Sequence, residues 1–339
     1  ISDMVVSEPA ANGAAGEVHI WYGSTVGISS SPSVTLGGTA SGDRFGHSTV
    51  PAGDVNGDRC DDLAVGAPGQ VNTNSDAVGV VHVFHGKTGG LESSASWTAE
   101  GSATGDKFGG TVSSAGDVNN DGYDDLLVAA LGWSSAPTRV GQIYLYLGNA
   151  SGLLTTGHSW SRSGSGANLV LGFTMAGVGD VNNDGFDDVA IASTRDFSDL
   201  SGYSRVQVYH GSASGLPWLF AREWAMDRQS TLFGRALAPL GDINGDGYDD
   251  FLITAYLDED GDGSAGQTYL ILGKSTGWEM DNDLSDADAS FIGEDSNDES
   301  GYAVSGVGDV NGDGYDDFLI GAYGDDYGGT NTGQTYLIL

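Results

Sequence analysis

Short apolar runs bounded by polar turns recur along the whole chain. Five of them read DLAVGAP (62–68), DLLVAAL (125–131), DVAIAS (188–193), DFLITAY (250–256) and DFLIGAY (317–323). Each is of strand length and rich in Val, Leu and Ile. After a variable loop, an alternating segment follows, such as GQIYLYLG (141–148) or GQTYLILG (266–273), in which residues two apart share a face. A turn of the form G-x-x-x-G-apolar comes next, at 148–153, 211–216 and 273–278. A weaker strand then carries Trp97, Trp160, Trp224 or Phe291. Before each apolar run lies a short strand opened by Phe45-Gly46, Phe108-Gly109, Leu171-Gly172, Phe233-Gly234 or Ser300-Gly301. Helical periodicity is absent throughout.

These segments form one repeat array. The string GD[VI]N recurs at Gly53, Gly116, Gly179, Gly241 and Gly308, at intervals of 63, 63, 62 and 67 residues. Four short antiparallel strands per unit predict an all-β fold, a β-propeller built of four-stranded blades. The chain is expected to be a single propeller domain over 1–339, with units at 1–44, 45–107, 108–170, 171–232, 233–299 and 300–339. The first unit reads as the last three strands only, without an opening strand or an Asp loop, and the last stops after its third strand. The missing strands are expected outside the sequence or from another segment, and six or seven blades remain open. The repeated Trp, at a fixed place in each unit, is expected between blades as core rather than as a sugar platform.

The loops between the first and second strands carry the chemistry. They align as DVNGDRCDD (54–62), DVNNDGYDD (117–125), DVNNDGFDD (180–188), DINGDGYDD (242–250) and DVNGDGYDD (309–317). Oxygen donors at loop positions 1, 3 and 5, a carbonyl at 7 and a carboxylate at 9 suit a hard cation about 2.3–2.6 Å from each oxygen, and calcium best. The predicted ligands are Asp54, Asn56, Asp58, Cys60 and Asp62; Asp117, Asn119, Asp121, Tyr123 and Asp125; Asp180, Asn182, Asp184, Phe186 and Asp188; Asp242, Asn244, Asp246, Tyr248 and Asp250; and Asp309, Asn311, Asp313, Tyr315 and Asp317. Five calcium ions are expected. Position 12 of the last loop is Ile320, inside an apolar strand, so these are not EF-hands. A plain hairpin turn would need no carboxylates at 1, 5 and 9. Arg59 replaces the glycine of position 6 and Cys60 the aromatic of position 7, which marks the first loop as the weakest.

The FG start, the D-x-N-x-D-G-x-x-D loop and the GAP-like ending (Gly66-Ala67-Pro68, Gly321-Ala322-Tyr323) resemble FG-GAP repeats, the units of the integrin alpha-subunit β-propeller and of many bacterial surface proteins. The resemblance implies seven blades as the usual number, calcium loops on one face and partner-binding loops mostly on the other. The near-constant intervals leave no room for an inserted adhesion domain, and no RGD-like motif is present.

Charge narrows the partners. The chain of 339 residues carries 47 acidic and 12 basic residues, a formal charge of −35, which excludes nucleic-acid backbones and anionic membranes. From Ala236 onward there are 23 Asp and Glu and one basic residue, Lys274. On the face away from the calcium loops, Asp258, Glu259, Asp260, Asp262, Asp295, Asp298, Glu299, Asp325 and Asp326 are expected to gather as a partner surface or a solvated edge. The expected partner is a protein or carbohydrate surface ligand, cationic or bridged by calcium, with no membrane insertion.

The lone Cys60 makes no internal disulfide, and runs such as LLVAAL (126–131) are too short to span a bilayer. The opening ISDMVV has neither an initiator Met nor a basic leader, as in a mature or excised piece. No H-E-x-x-H or G-x-S-x-G string is present; GSASG (211–215) is one of the repeated turns, and His85 and His210 precede turn glycines at matching positions. The reading is a non-enzymatic, calcium-stabilised extracellular or cell-surface adhesion or interaction module. The alternative is a propeller domain of a secreted carbohydrate-active enzyme.

Overall fold

The computed structural model describes residues 3–132, 140–154, 157–164, 169–195, 204–226, 232–259, 263–278, 284–326 and 332–339. Among the described residues six antiparallel sheets of three or four strands follow one another along the chain, each with its strands in sequence order, and a two-stranded ribbon, Gly86–Lys87 with Gly90–Leu91, lies between the last two strands of the second. The first has three strands, Met4–Glu8, Glu17–Trp21 and Val34–Gly37. The second has Ser48–Gly53, Asp62–Ala67, Val80–Phe84 and Trp97–Glu100. The third has Phe108–Gly116, Asp125–Ala130, Gln142–Tyr146 and Trp160–Ser163. The fourth has Leu169–Gly179, Asp188–Arg195, Ser204–Tyr209 and Arg222–Met226. The fifth has Leu237–Gly241, Asp250–Ala255, Gln267–Ile271 and Ala289–Ile292. The sixth has three, Ser300–Gly308, Asp317–Ala322 and Gln334–Ile338. Helix among the described residues amounts to two single turns, Ala11–Ala14 and Leu284–Asp286. The chain is thus nearly all-β, and four of these sheets have the four antiparallel strands of a propeller blade, as the pattern predicts.

The second strand of each complete sheet explains the apolar runs. In Asp62–Ala67, Asp125–Ala130 and Asp250–Ala255 every residue is buried, so polar alternation has no place there. Strand order also fixes where loops lie. The first strand enters at one end of its sheet and turns at the other through the Asp loop. The connection between second and third strands, and the turn into the first strand, then share the opposite end.

The sheets pack face to face within two compact units, residues 1–114 with 122–163, and residues 115–121 with 164–339. In the former unit, Ala64, Val81 and Trp97 of the second sheet pack with Leu126, Val128 and Tyr146 of the third. In the latter, Val206, Val208 and Trp224 of the fourth sheet pack with Phe251, Ile253 and Tyr269 of the fifth. Each buried Val, Leu, Ile or Phe among them contributes about 1.5–3 kcal/mol. The expectation of tryptophan as core holds for Trp97 and Trp224, which are 5% and 3% exposed. The Trp97 ring stands 5.0 Å from Tyr146 and the Trp224 ring 6.2 Å from Phe251.

The FG start has a packing cause. Phe45, Phe108 and Phe233 are buried, and the following glycine lets two sheets approach closely. A Cβ on Gly109, whose φ is +75°, would lie 2.7 Å from Val81 Cγ2 and 3.0 Å from the Val80 carbonyl oxygen.

Candidate metal loops

In four of the sheets the first strand ends in a register shift at a glycine that leads into the loop, between Pro51 and Gly53, Gly177 and Gly179, Pro239 and Gly241, and Gly306 and Gly308. The loop then folds around its own side-chain oxygens. In the first loop the Asp58 N–H donates both to Asp54 Oδ1 at 3.0 Å and to Asn56 Oδ1 at 2.8 Å, which brings positions 1 and 3 together. The same pair of bonds reaches the N–H of Asp121, Asp246 and Asp313. Position 5 is drawn in as well: Asn119 Nδ2 lies 2.9 Å from Asp121 Oδ2, and Asn311 Nδ2 lies 3.0 Å from Asp313 Oδ2.

Position 9 lies beneath the loop as the first residue of the second strand. Asp62, Asp125, Asp188, Asp250 and Asp317 are at most 1% exposed. Oδ1 of Asp62 accepts from Gly86 N at 2.7 Å, and Oδ2 accepts from Val55 N at 3.2 Å. Asp188 and Asp250 repeat both bonds, with Gly211 and Val181 and with Gly273 and Ile243. The buried carboxylate therefore ties the loop to the turn after the third strand. Burial pushes the Asp188 carboxyl up to about 8, and Asp184 and Asp180 push it in the same direction, against its two backbone donors. Burial likewise takes Asp62 and Asp250 to about 7, each with positions 5 and 1 of its own loop adding repulsion. Positions 1, 5 and 9 are thus mutually repelling neighbours.

The residues present fit a hard cation. The donor set is oxygen, and in the third of the five loops Asn182 Oδ1 is buried without a hydrogen-bond partner. Among the described residues no three His, Cys, Asp or Glu side chains converge on their own, so the asparagine oxygen and the position-7 carbonyl would be needed to complete a shell. The position-7 side chain has a different task. A Cβ on Gly57 would meet the Tyr123 ring at 2.6 Å, so that ring packs on position 4 of the preceding loop.

Position 8, which the ligand pattern omits, joins one loop to the next. Asp54 N donates to Asp124 Oδ2 at 2.7 Å, Asp117 N to Asp187 Oδ2 at 2.8 Å, and Asp180 N to Asp249 Oδ2 at 2.8 Å. The glycine before position 1 makes room for this carboxylate, since a Cβ on Gly53, Gly116 or Gly179 would come within 2.1 Å of it. The signal was the Asp-Asp doublet, two identical letters with separate roles. A further position 9 also escaped the pattern. Asp3 Oδ1 accepts from Gly23 N at 2.7 Å, the bond that Asp62 makes with Gly86, so Asp3 holds the place of position 9 in the first sheet.

The acidic end differs from expectation. Asp258, Asp298 and Asp325 are buried, at 0%, 3% and 5% exposure, and do not belong to an open acidic surface. Asp298 Oδ2 accepts from Asp295 N at 2.8 Å, closing the turn into the first strand. Asp43 and Asp106 do the same, each taking the N–H and hydroxyl of Thr39 or Ser102 and the N–H of the next residue. The G-D-x-F-G string at Asp43 and Asp106 carried that signal. Glu259, Asp295 and Asp326 are exposed and Glu299 half-buried; Asp260 and Asp262 lie outside the described residues. His210 packs its ring 5.3 Å from that of Trp278, and burial lowers its pKa, consistent with a packing role.

Successive four-stranded sheets, each turned by an oxygen-rich loop, define a repeat protein of the β-propeller class. Residues 45–84, 108–146, 233–271 and 300–338 match the FG-GAP repeat. The chain thus carries FG-GAP repeats at these four places and is similar in sequence to integrin alpha subunits. It is 34% identical over 202 residues to integrin alpha-4 of Xenopus laevis, covering 58% of this chain and 18% of that protein. It is 30% identical over 218 residues to integrin alpha-V of Gallus gallus, covering 61% and 20%. It is 32% identical over 223 residues to integrin alpha-8 of Homo sapiens, covering 61% and 19%. The chain therefore spans about a fifth of the length of these relatives. No helix among the described residues is long and apolar enough to cross a membrane.

Proposed function

We propose that this chain is a calcium-stabilised β-propeller module for adhesion or protein–protein interaction at an extracellular or cell surface. The observation that carries the calcium reading is the set of mutually repelling carboxylates at positions 1, 5 and 9, with position 9 buried. Asp180, Asn182, Asp184, the Phe186 carbonyl and Asp188 would hold the ion in one loop, and the equivalent residues would do so in the other four. Calcium would supply the positive charge that offsets this repulsion; the chain's own residues orient the oxygens and fix one strand to the next.

The end of each sheet away from these loops is open for recognition, and in the fifth and sixth sheets Glu259, Asp295 and Asp326 are exposed there. Similarity to integrin alpha subunits supports a protein ligand. The acidic character of that end favours a basic one, with association that weakens as salt rises. Titration calorimetry with calcium, alongside equilibrium dialysis and metal analysis, tests the metal reading. The expected result is about five ions per chain, all released by EGTA; a chain that takes up no calcium overturns it. For the ligand, D326K with E259K is expected to abolish capture of basic surface proteins while calcium content stays unchanged. Full retention of capture would remove the acidic end as the binding surface.

A further inference from the structure

Asn-Gly is the dipeptide in which a backbone N–H reaches the preceding side-chain amide with least hindrance, because glycine carries no Cβ. Three of the five loops hold it at positions 3 and 4, as Asn56-Gly57, Asn244-Gly245 and Asn311-Gly312. In the loop at 242–250, Asn244 Oδ1 accepts from Asp246 N at 2.8 Å, a bond that curls the side chain over the intervening peptide and brings Cγ toward Gly245 N. Gly245 N in turn donates to Asp242 Oδ1 at 2.8 Å. The loop at 309–317 repeats both bonds, Asp313 N to Asn311 Oδ1 at 2.8 Å and Gly312 N to Asp309 Oδ1 at 2.6 Å. A nucleophile, a carboxylate on its proton and a donor on the electrophile's oxygen thus stand together in each. Two other loops lack part of this set. In the loop at 54–62, Asp54 takes the N–H groups of Asp58 and Arg59 and, among the described residues, not that of Gly57. In the loop at 180–188, position 4 is Asn183, its N–H donates to the Asp180 carbonyl oxygen at 3.4 Å, and Asn182 Oδ1 has no donor.

We propose that the loops at 242–250 and 309–317 promote deamidation of their own Asn244 and Asn311, closing a succinimide through Gly245 N and Gly312 N. Gly245 N attacks Asn244 Cγ while its proton passes to Asp242 Oδ1. Bonding to Cγ makes that N–H strongly acidic, so a carboxylate suffices as base. Negative charge gathers on Asn244 Oδ1, where the Asp246 N–H meets it. The Cγ–Nδ2 bond then breaks with its electron pair on Nδ2, which takes a proton from water and leaves as ammonia, and Asp242 returns its proton to water. Water next opens the ring. Cleavage between Cγ and the ring nitrogen gives aspartate, and cleavage between the main-chain carbonyl carbon and that nitrogen gives isoaspartate. Asn244 and Gly245 are exposed, so water reaches them. Either product changes the loop: aspartate adds a carboxylate to those at positions 1, 5 and 9, and isoaspartate puts a methylene into the backbone between positions 3 and 4. The step uses no metal ion, so it stands apart from the calcium reading.

The test follows the whole chain in EGTA at neutral pH by peptide mass mapping, which reads each asparagine separately. Asn244 and Asn311 are expected to convert ahead of Asn56, and Asn56 ahead of Asn182. Asn244 is expected to convert faster in the folded chain than in the same chain unfolded in urea. D242N removes the base and is expected to slow Asn244 at least about tenfold while Asn311 keeps its rate. D309N is expected to do the reverse, so each variant carries its own control. Asn56 converting as fast as Asn244 overturns the proposal, because the dipeptide alone then sets the rate. So does faster conversion in urea than in the folded chain, or a rate at Asn244 that D242N leaves unchanged.

Discussion

At the scale of the residue, the loops are decided by backbone angles as much as by oxygen atoms. Gly122, Gly185, Gly247 and Gly314 at position 6 have φ between +91° and +96°, and Arg59 is held at φ +69° in the same place. Position 4 also lies at positive φ, with Gly57, Gly245 and Gly312 near +75° to +80° and Asn120 and Asn183 at +52° and +55°. Asparagine tolerates that region; arginine does so at a cost of about 1 kcal/mol. R59G is therefore expected to raise stability by about 1 kcal/mol in urea denaturation with EGTA present, where metal binding plays no part. An unchanged or lower midpoint would count against backbone strain at this residue. G314A is the converse. Its Cβ would meet nothing within 4 Å, so an expected loss of about 1–2 kcal/mol isolates the backbone. A neutral G314A would show that the loop can relax around a side chain.

At the scale of the element, the loops at 117–125, 180–188 and 242–250 are each fastened twice, by position 9 to their own sheet and by position 8 to the loop before. Asp249 accepts from Asp180 N, and Asp249 N donates to the Asp180 carbonyl at 3.3 Å. D249A leaves the Asp180 N–H without its acceptor and is expected to cost about 1–3 kcal/mol, whereas D249N, which keeps an acceptor oxygen, costs less. Asp61, the same position in the loop at 54–62, is exposed, and D61A is expected to change stability by no more than about 0.5 kcal/mol. Equal losses in D249A and D61A would refute the interlock. The sequence made the strands legible, because short apolar runs such as DLLVAA are strands buried along their whole length, although the alternating Gln267–Ile271 is buried throughout as well. It made the ligand spacing legible too. What it hid was the destination of carboxylates whose letter is the same in every environment. Asp258 and Asp298 look like surface charge in a run of acid, yet both are buried, with Asp298 closing a turn. Asp3 was unreadable as a position-9 carboxylate because its letter stands without the repeated string that marks the others.

At the scale of the whole molecule, two accounts of calcium stabilisation compete. A chain with a formal charge of −35 would gain from any cation that lowers its self-repulsion, whereas cages would gain from calcium at defined sites. Five ions add ten charges and would take −35 to −25, so both accounts predict a rise in melting temperature. Screening separates them. Sodium chloride shortens the Debye length from about 10 Å at 0.1 M to about 3 Å at 1 M, which removes repulsion between distant loops. It acts weakly inside a loop, where oxygens of positions 1 and 3 share one N–H at about 3 Å and position 9 is buried beneath. Specific binding, in contrast, stabilises by about 2.7 kcal/mol per site at a hundredfold excess over Kd. The expected order of melting temperatures is therefore calcium at low salt above EGTA with 1 M sodium chloride, and that above EGTA at low salt. Magnesium at equal concentration should fall below calcium, since it requires near-octahedral geometry and sheds its water reluctantly. Differential scanning calorimetry of the same protein under these four conditions decides the matter. If sodium chloride or magnesium restores the full calcium value, the loops act as a diffuse acidic surface, and the oxygen spacing at positions 1, 3 and 5 has no role in stability.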